Sequence, residues 1–170
     1  MSHQKEQKEE ELRQLKNFFN CLKLDVYNLK AQEKPDFICD ILSKEIGIEL
    51  VQYHPIKHNY GKCKRNENGV REEDFDDFID EYISVIKNKN NKSYTENYDE
   101  LWLIIHTSEL ENSHPIIEAH ITSSEFNNFK FDKIFYLNNK TPICLYEKPQ
   151  SINIPLLKQI PPPFFRITIK

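Results

Sequence analysis

Hydrophobic positions along the chain recur with two different periods. Between residues 5 and 24, Leu12, Leu15, Phe19 and Leu22 fall at helical spacing, with Phe18 beside them. That spacing predicts an amphipathic helix with one buried face. Its first turns are charged, with Lys5, Glu6, Lys8, Glu9, Glu10 and Glu11. Glu11 stands four residues before Leu15 and seven before Phe18, at the edge of that face. A second stripe of Phe75, Phe78, Ile79, Tyr82, Ile83 and Ile86 predicts a helix over 71–88. Glu72, Glu73, Asp76, Asp77, Asp80 and Glu81 then form its solvated side. Residues 115–126 predict a third helix, opening on Pro115. The connector 25–33 reads as a further helical turn, closed by Pro35.

The other runs have the strand period. Phe37–Leu42 and Ile46–Tyr53 predict two consecutive strands, with Ser43-Lys44-Glu45 as the tight turn between them. Alternation puts Gly47, Glu49, Val51 and Tyr53 on one face of the second strand and Ile48, Leu50 and Gln52 on the other. Leu101–Ile105 is continuously apolar, as a buried central strand requires. Asp132–Leu137, Pro142–Tyr146 and the weakly alternating Phe164–Lys170 complete the set, and 149–163 is proline-dotted and extended. Residues 55–70 make a long loop and 88–97 a polar connector. The expected order is α-β-β-α-β-α-β-β-β: an α/β chain with a mixed central sheet and helices packed against it.

Composition narrows the function classes. At 170 residues the chain fits one domain, expected over 1–170. Within it, 6–30 would be an N-terminal helical region, 36–137 the core, and 138–170 a C-terminal set of strands with a Pro-rich segment. No apolar run approaches the roughly 20 residues of a membrane span. Met1–Glu6 has no apolar core of a secretory signal. Cys21, Cys39, Cys63 and Cys144 show no CxxC spacing, so they are expected as reduced thiols in a cytoplasmic protein, with Cys21, Cys39 and Cys144 as small core residues. The net charge of −4 counts against a broad nonspecific nucleic-acid face. A local basic patch remains at Lys57, His58, Lys62, Lys64 and Arg65, available for phosphate contact.

The chemistry concentrates in Pro35-Asp36-Phe37 and Ile46-Gly47-Ile48-Glu49-Leu50-Val51. Two carboxylates arrive on consecutive strands, and Glu49 lies in a run of Ile, Leu and Val where a charge is costly unless something uses it. Such a pair can hold a hard divalent ion. These segments resemble the PD-(D/E)XK nuclease superfamily, in particular its bacterial branch with a proline-aspartate-phenylalanine strand followed by an isoleucine-glycine-isoleucine-glutamate strand. The likeness spans roughly residues 6–137 by pattern, from the Glu-rich helix ending in Lys16-Asn17-Phe18-Phe19 to the Phe131–Leu137 strand.

The resemblance implies a restriction-endonuclease-like sheet and a Mg²⁺- or Mn²⁺-dependent nuclease of DNA. Asp36 and Glu49 would ligate the metal. Glu11, with Glu10 as the alternate, would orient the site from the first helix. The family lysine two residues after the glutamate is replaced here by Val51, which can neither donate a hydrogen bond nor carry charge. Lys64, Lys34, Lys57 and Arg71 are the candidate replacements, Lys64 being taken into the expected site; Gln52 would point to the opposite face. Cutting both strands of a duplex with one site per chain would call for a homodimer.

Plainer accounts stand beside these. Asp36 can be a strand-start aspartate after proline, and Glu49 can face solvent on an edge strand. A solvated helix position is the simpler account of Glu11. His54, His58 and Cys63 have zinc-ligand chemistry without a closed ligand set. His106, His114 and His120 surround a strand-to-helix connection and are expected to be exposed, with a phosphate or metal role as the alternative. The alternative to a nuclease is the same fold without catalysis, serving as a module that binds nucleic acid or a protein partner.

Overall fold

The structure, a computed structural model, describes residues 3–53, 75–94, 98–106, 129–137 and 142–154. Among them the order is α1 (His3–Leu22), β1 (Val26–Ala31), β2 (Phe37–Ile41), β3 (Lys44–Gln52), α2 (Phe75–Asn90), β4 (Glu100–His106), β5 (Lys133–Leu137) and β6 (Pro142–Glu147). The strands form one six-stranded mixed sheet in the order β1-β2-β3-β4-β5-β6. β1, β2 and β3 run antiparallel, β3-β4 and β4-β5 are parallel, and β6 returns antiparallel to β5.

Strand alternation separates two cores. One face carries Phe37, Cys39, Ile41, Ile46, Ile48, Leu50, Trp102, Ile104 and Phe135, and α1 covers it with Leu15, Phe18, Phe19 and Leu22. Phe18 meets Phe135 edge-on, with ring centroids 4.9 Å apart. The opposite face carries Val51, Tyr53, Leu101, Leu103, Ile105, Ile134 and Tyr136, with Ile86 of α2 packed against it. Among the described residues the mixed α+β architecture thus has one helix on each side of the sheet. No helix among the described residues is long and apolar enough to cross a membrane.

α1 stops by a chain reversal. Lys23 takes a positive φ of 50°. Its N–H bonds Asn20 O while the N–H of Leu24 bonds Phe19 O, which satisfies two of the helix's last carbonyls. The chain therefore leaves the helix before residue 25, and the expected helical turn over 25–33 is instead strand β1. Its period is broken by a register shift between Tyr27 and Lys30, where Asn28 adopts φ 52°. That irregularity, a bulge in an edge strand, hides the alternation a sequence reading relies on. The expected third helix (115–126), the loop 55–70 and the closing strand 164–170 lie outside the described residues, and α2 is described from Phe75.

The β2–β3 hairpin turns on two residues, Leu42 and Ser43, because Ile41 pairs with Lys44. Both have positive φ, 49° and 63°, as the preferred two-residue hairpin turn demands. The turn is therefore one residue earlier than the expected Ser43-Lys44-Glu45. Leu42 is 64% exposed, so nothing in the core holds it in that strained backbone. Replacing Leu42-Ser43 with Asn-Gly, which adopts this backbone without penalty, should raise stability by about 0.5–1 kcal/mol in urea unfolding at unchanged slope.

Candidate active site

The hairpin register decides where the two carboxylates go. Phe37 pairs with Ile48 and Ile38 with Gly47. One step back along β2 puts Asp36 across from Glu49, and opposed residues of an antiparallel pair project from the same face about 5 Å apart. The N–H of Leu50 donates to Asp36 Oδ2 at 2.9 Å, fixing that side chain against β3. Glu49 is 1% exposed. It lies on a central strand, between β2 and β4, which excludes the exposed-edge account of this residue. Gly47, two residues earlier on the same face, leaves room for its neighbours: a Cβ there would stand 2.9 Å from the Tyr98 ring and 3.0 Å from Pro35. The Tyr98 hydroxyl accepts a hydrogen bond from Gln32 Nε2 at 2.8 Å.

Cations reach Glu49 from the far end of α2. Ile86 is wholly buried under the sheet. Lys89 follows it by three residues, so it occupies the same face of the helix one turn further on. Its Nζ donates to Glu49 Oε1 at 2.7 Å. The chain turns once more past Asn90, with the N–H of Lys92 on Lys89 O at 3.2 Å. Lys92 Nζ thereby reaches the same Oε1 at 3.0 Å. The Tyr94 hydroxyl donates to Lys89 O at 3.0 Å and Lys130 Nζ to Lys92 O at 2.9 Å, which hold this corner in place.

A third lysine comes from α1. Lys8 Nζ lies 3.6 Å from Asp36 Oδ1, 3.1 Å from Glu11 Oε2 and 4.6 Å from the centre of the Phe37 ring. The result is a row of charges running Glu11, Lys8, Asp36, Glu49, then Lys89 and Lys92. Burial, and then the charge of Glu49, push the Asp36 carboxyl above its ordinary pKa; the Leu50 N–H and the lysines offset this only in part. Burial would lower the Lys92 ammonium, but its bond to Glu49 reverses that and the net shift is upward. The Tyr94 hydroxyl is raised by burial and by both carboxylates, so it stays a donor at neutral pH.

The expected site residues therefore divide. Asp36 and Glu49 are brought together. Glu11 reaches the pair only through Lys8. Glu10 instead bonds Arg13 and Gln14, and these, with the nearby His106, hold its pKa down at about 2. Lys34 is exposed, and Gln52 is exposed at the end of β3. Lys57, Lys64, Arg71, the rest of the 57–65 basic patch, His54, His58, Cys63, His114 and His120 lie outside the described residues. His106 is buried rather than exposed, because it ends the central strand β4 beneath α1. Cys21 is exposed on α1, whereas Cys39 is buried and Cys144 partly so.

Lys89 and Lys92 were hidden by the expected helix end at residue 88. Extending the Ile83, Ile86 stripe by one turn puts a lysine on a core-facing position, and that is the signal available in the sequence.

The donor set suits a hard divalent ion: two carboxylates on one face, with oxygen donors only, are what Mg²⁺ takes while keeping several waters. No group of three or more His, Cys, Asp or Glu side chains gathers around a common point among the described residues. In comparisons with known proteins, no family model, no curated protein and no solved structure matches this chain.

A carboxyl whose pKa is raised by folding favours the folded state at low pH and loses that contribution as pH rises through the folded value. Ionised Asp36 therefore opposes folding at neutral pH. In metal-free buffer at pH 7, Asp36→Asn should melt a few degrees above the wild type. The gap should close as pH falls through the carboxyl range, as followed by thermal denaturation at several pH values.

Proposed function

We propose that this chain is a metal-dependent phosphodiester hydrolase of nucleic acid, DNA in the first instance, built on a restriction-endonuclease-like sheet. One observation carries the reading: Glu49, 1% exposed, faces Asp36 across the β2–β3 pair and takes its cations from a different element. A buried ion pair is a poor stabiliser, since an apolar side chain of similar volume usually serves a fold as well or better. A like-charged neighbour makes the arrangement costlier still. Clusters of this kind mark functional sites.

In this reading Asp36 and Glu49 hold Mg²⁺ or Mn²⁺. When bound, the metal lowers the pKa of a coordinated water and offsets charge on the phosphoryl oxygens. The chain's own residues do the rest. The Leu50 N–H fixes the rotamer of Asp36. Lys8, steadied by Glu11 and by the Phe37 ring, sets the charge on the outer side of Asp36. Tyr98 and Pro35, seated over Gly47, cover the same face of the sheet beside Glu49.

The second reading is a catalytically silent module on the same scaffold. It is favoured by the lysines themselves, because Lys8, Lys89 and Lys92 already satisfy both carboxylates without a metal. Calorimetric titration with Mn²⁺ and a plasmid-cleavage assay separate the two. The hydrolase reading expects Mn²⁺ binding and cleavage by the wild type. In Glu49→Ala, binding should be lost and cleavage reduced by more than about 100-fold. A wild type that neither binds Mn²⁺ nor cleaves is the silent module, and its partner becomes the question.

A further inference from the structure

We infer that Lys92 is an exchangeable counter-ion of the carboxylate pair: its ammonium group occupies Glu49 in the metal-free protein and is displaced into solvent when a divalent ion binds. This deepens the hydrolase reading above, on which it rests, by assigning what limits the affinity of the site for metal.

The charges at the site already balance. Glu11, Asp36 and Glu49 supply three negative charges, and Lys8, Lys89 and Lys92 supply three positive ones. Every lysine of the set is in direct contact with a carboxylate. Lys8 Nζ stands 3.6 Å from Asp36 Oδ1, and Lys89 and Lys92 meet Glu49 Oε1 at 2.7 and 3.0 Å. Lys89 and Lys92 also interact electrostatically with Asp36, so they serve both carboxylates as a bridging cation would.

A divalent ion added to this balanced set would leave it with a surplus of two positive charges. On Glu49 the ion would share one carboxylate with two ammonium groups. Like charges at such short range repel strongly where water is excluded. The ion and the full set of lysines therefore compete, and binding is easiest if one lysine departs.

Lys92 is the one placed to leave. Its side chain is 45% exposed, against 18% for Lys89. Lys89 projects from α2 itself, one turn beyond the buried Ile86, whereas Lys92 lies past the end of that helix. Lys8 is held at its place by Glu11 and by the Phe37 ring. The main chain of Lys92 is pinned, with its N–H on Lys89 O and its carbonyl accepting from Lys130 Nζ. Departure is thus a rotation of one side chain that leaves the helix end standing, and the freed side chain regains its rotamers.

The test uses the full chain with Lys92→Met, Lys92→Arg and Lys16→Met. Lys16 is exposed on α1, which covers the opposite face of the sheet, and it controls for the loss of one net charge. Mn²⁺ affinity is measured by calorimetry. Acylation of individual lysines in the wild type is followed by mass spectrometry as Mn²⁺ is added. A charge within about 4–6 Å changes the affinity of a carboxylate for a proton by about 10–1000-fold, and a metal ion on that carboxylate feels the same field. Lys92→Met should therefore bind Mn²⁺ at least about tenfold more tightly than the wild type. Lys92→Arg keeps the charge and should bind no more tightly than the wild type, and Lys16→Met should match it. Acylation of Lys92 should rise as Mn²⁺ saturates, with that of Lys16 unchanged.

The labelling experiment needs no substitution, so it decides the matter even if Lys92→Met is unstable. Mn²⁺ affinity unaltered in a folded Lys92→Met protein, or Lys92 labelling indifferent to bound Mn²⁺, would overturn the exchange and leave the metal reading standing. If neither the wild type nor Lys92→Met binds Mn²⁺, the hydrolase reading falls and the exchange falls with it.

Discussion

Everything at the site depends on the pairing register of the β2–β3 hairpin. The two-residue turn at Leu42-Ser43 fixes it, and every pair from Ile41–Lys44 to Phe37–Ile48 follows without a slip. One register satisfies both faces at once. It sends Phe37, Cys39, Ile46 and Ile48 into the core beneath α1 and leaves Asp36 and Glu49 opposed on the other side. A slip of one residue would carry the whole apolar set to the wrong face. The hydrophobic pattern thus holds the carboxylates together, although they repel one another.

The same economy explains the residues around the pair. Gly47 is needed for space: its missing side chain is where the Tyr98 ring and Pro35 sit. Val51 belongs to the α2-side core, and the cations beside Glu49 come from the end of that helix. At the other end of the site, α1 contributes Lys8 while its apolar stripe lies further along the helix. Glu11 and Glu10 are neighbours in sequence yet part company, one turning to Lys8 and the other to Arg13 and Gln14. Helical spacing of 100° per residue is enough to divide them.

Much of this was legible in the sequence because it rests on short-range periodicity. The alternation over Ile46–Tyr53 correctly separated Glu49 and Val51 from Ile48 and Leu50, and the unbroken run at Leu101–Ile105 marked a central strand. The β1 strand was not legible, since a bulge at Asn28 breaks its period and one face of the strand is open to solvent. The lysines were missed for another reason. A lysine after an apolar stripe reads as the solvated end of a helix, and only the tertiary fold shows that this end lies over Glu49. Burial of His106 was likewise a matter of where α1 crosses the sheet.

The separation of the partners along the chain has a consequence for how the protein reaches its native state. Asp36 and the β3 backbone are 14 residues apart, whereas Lys89 and Lys92 are 40 and 43 residues from Glu49. The hairpin can close early, at small entropic cost, but doing so sets two carboxylates face to face. Relief comes from Lys8 of α1 at Asp36 and, once the long crossover has closed, from the end of α2 docking on Glu49. The hairpin on its own is therefore electrostatically frustrated, and the helix that brings Lys89 and Lys92 to Glu49 relieves that frustration. Folding of the sheet and assembly of the site are in this sense a single cooperative event.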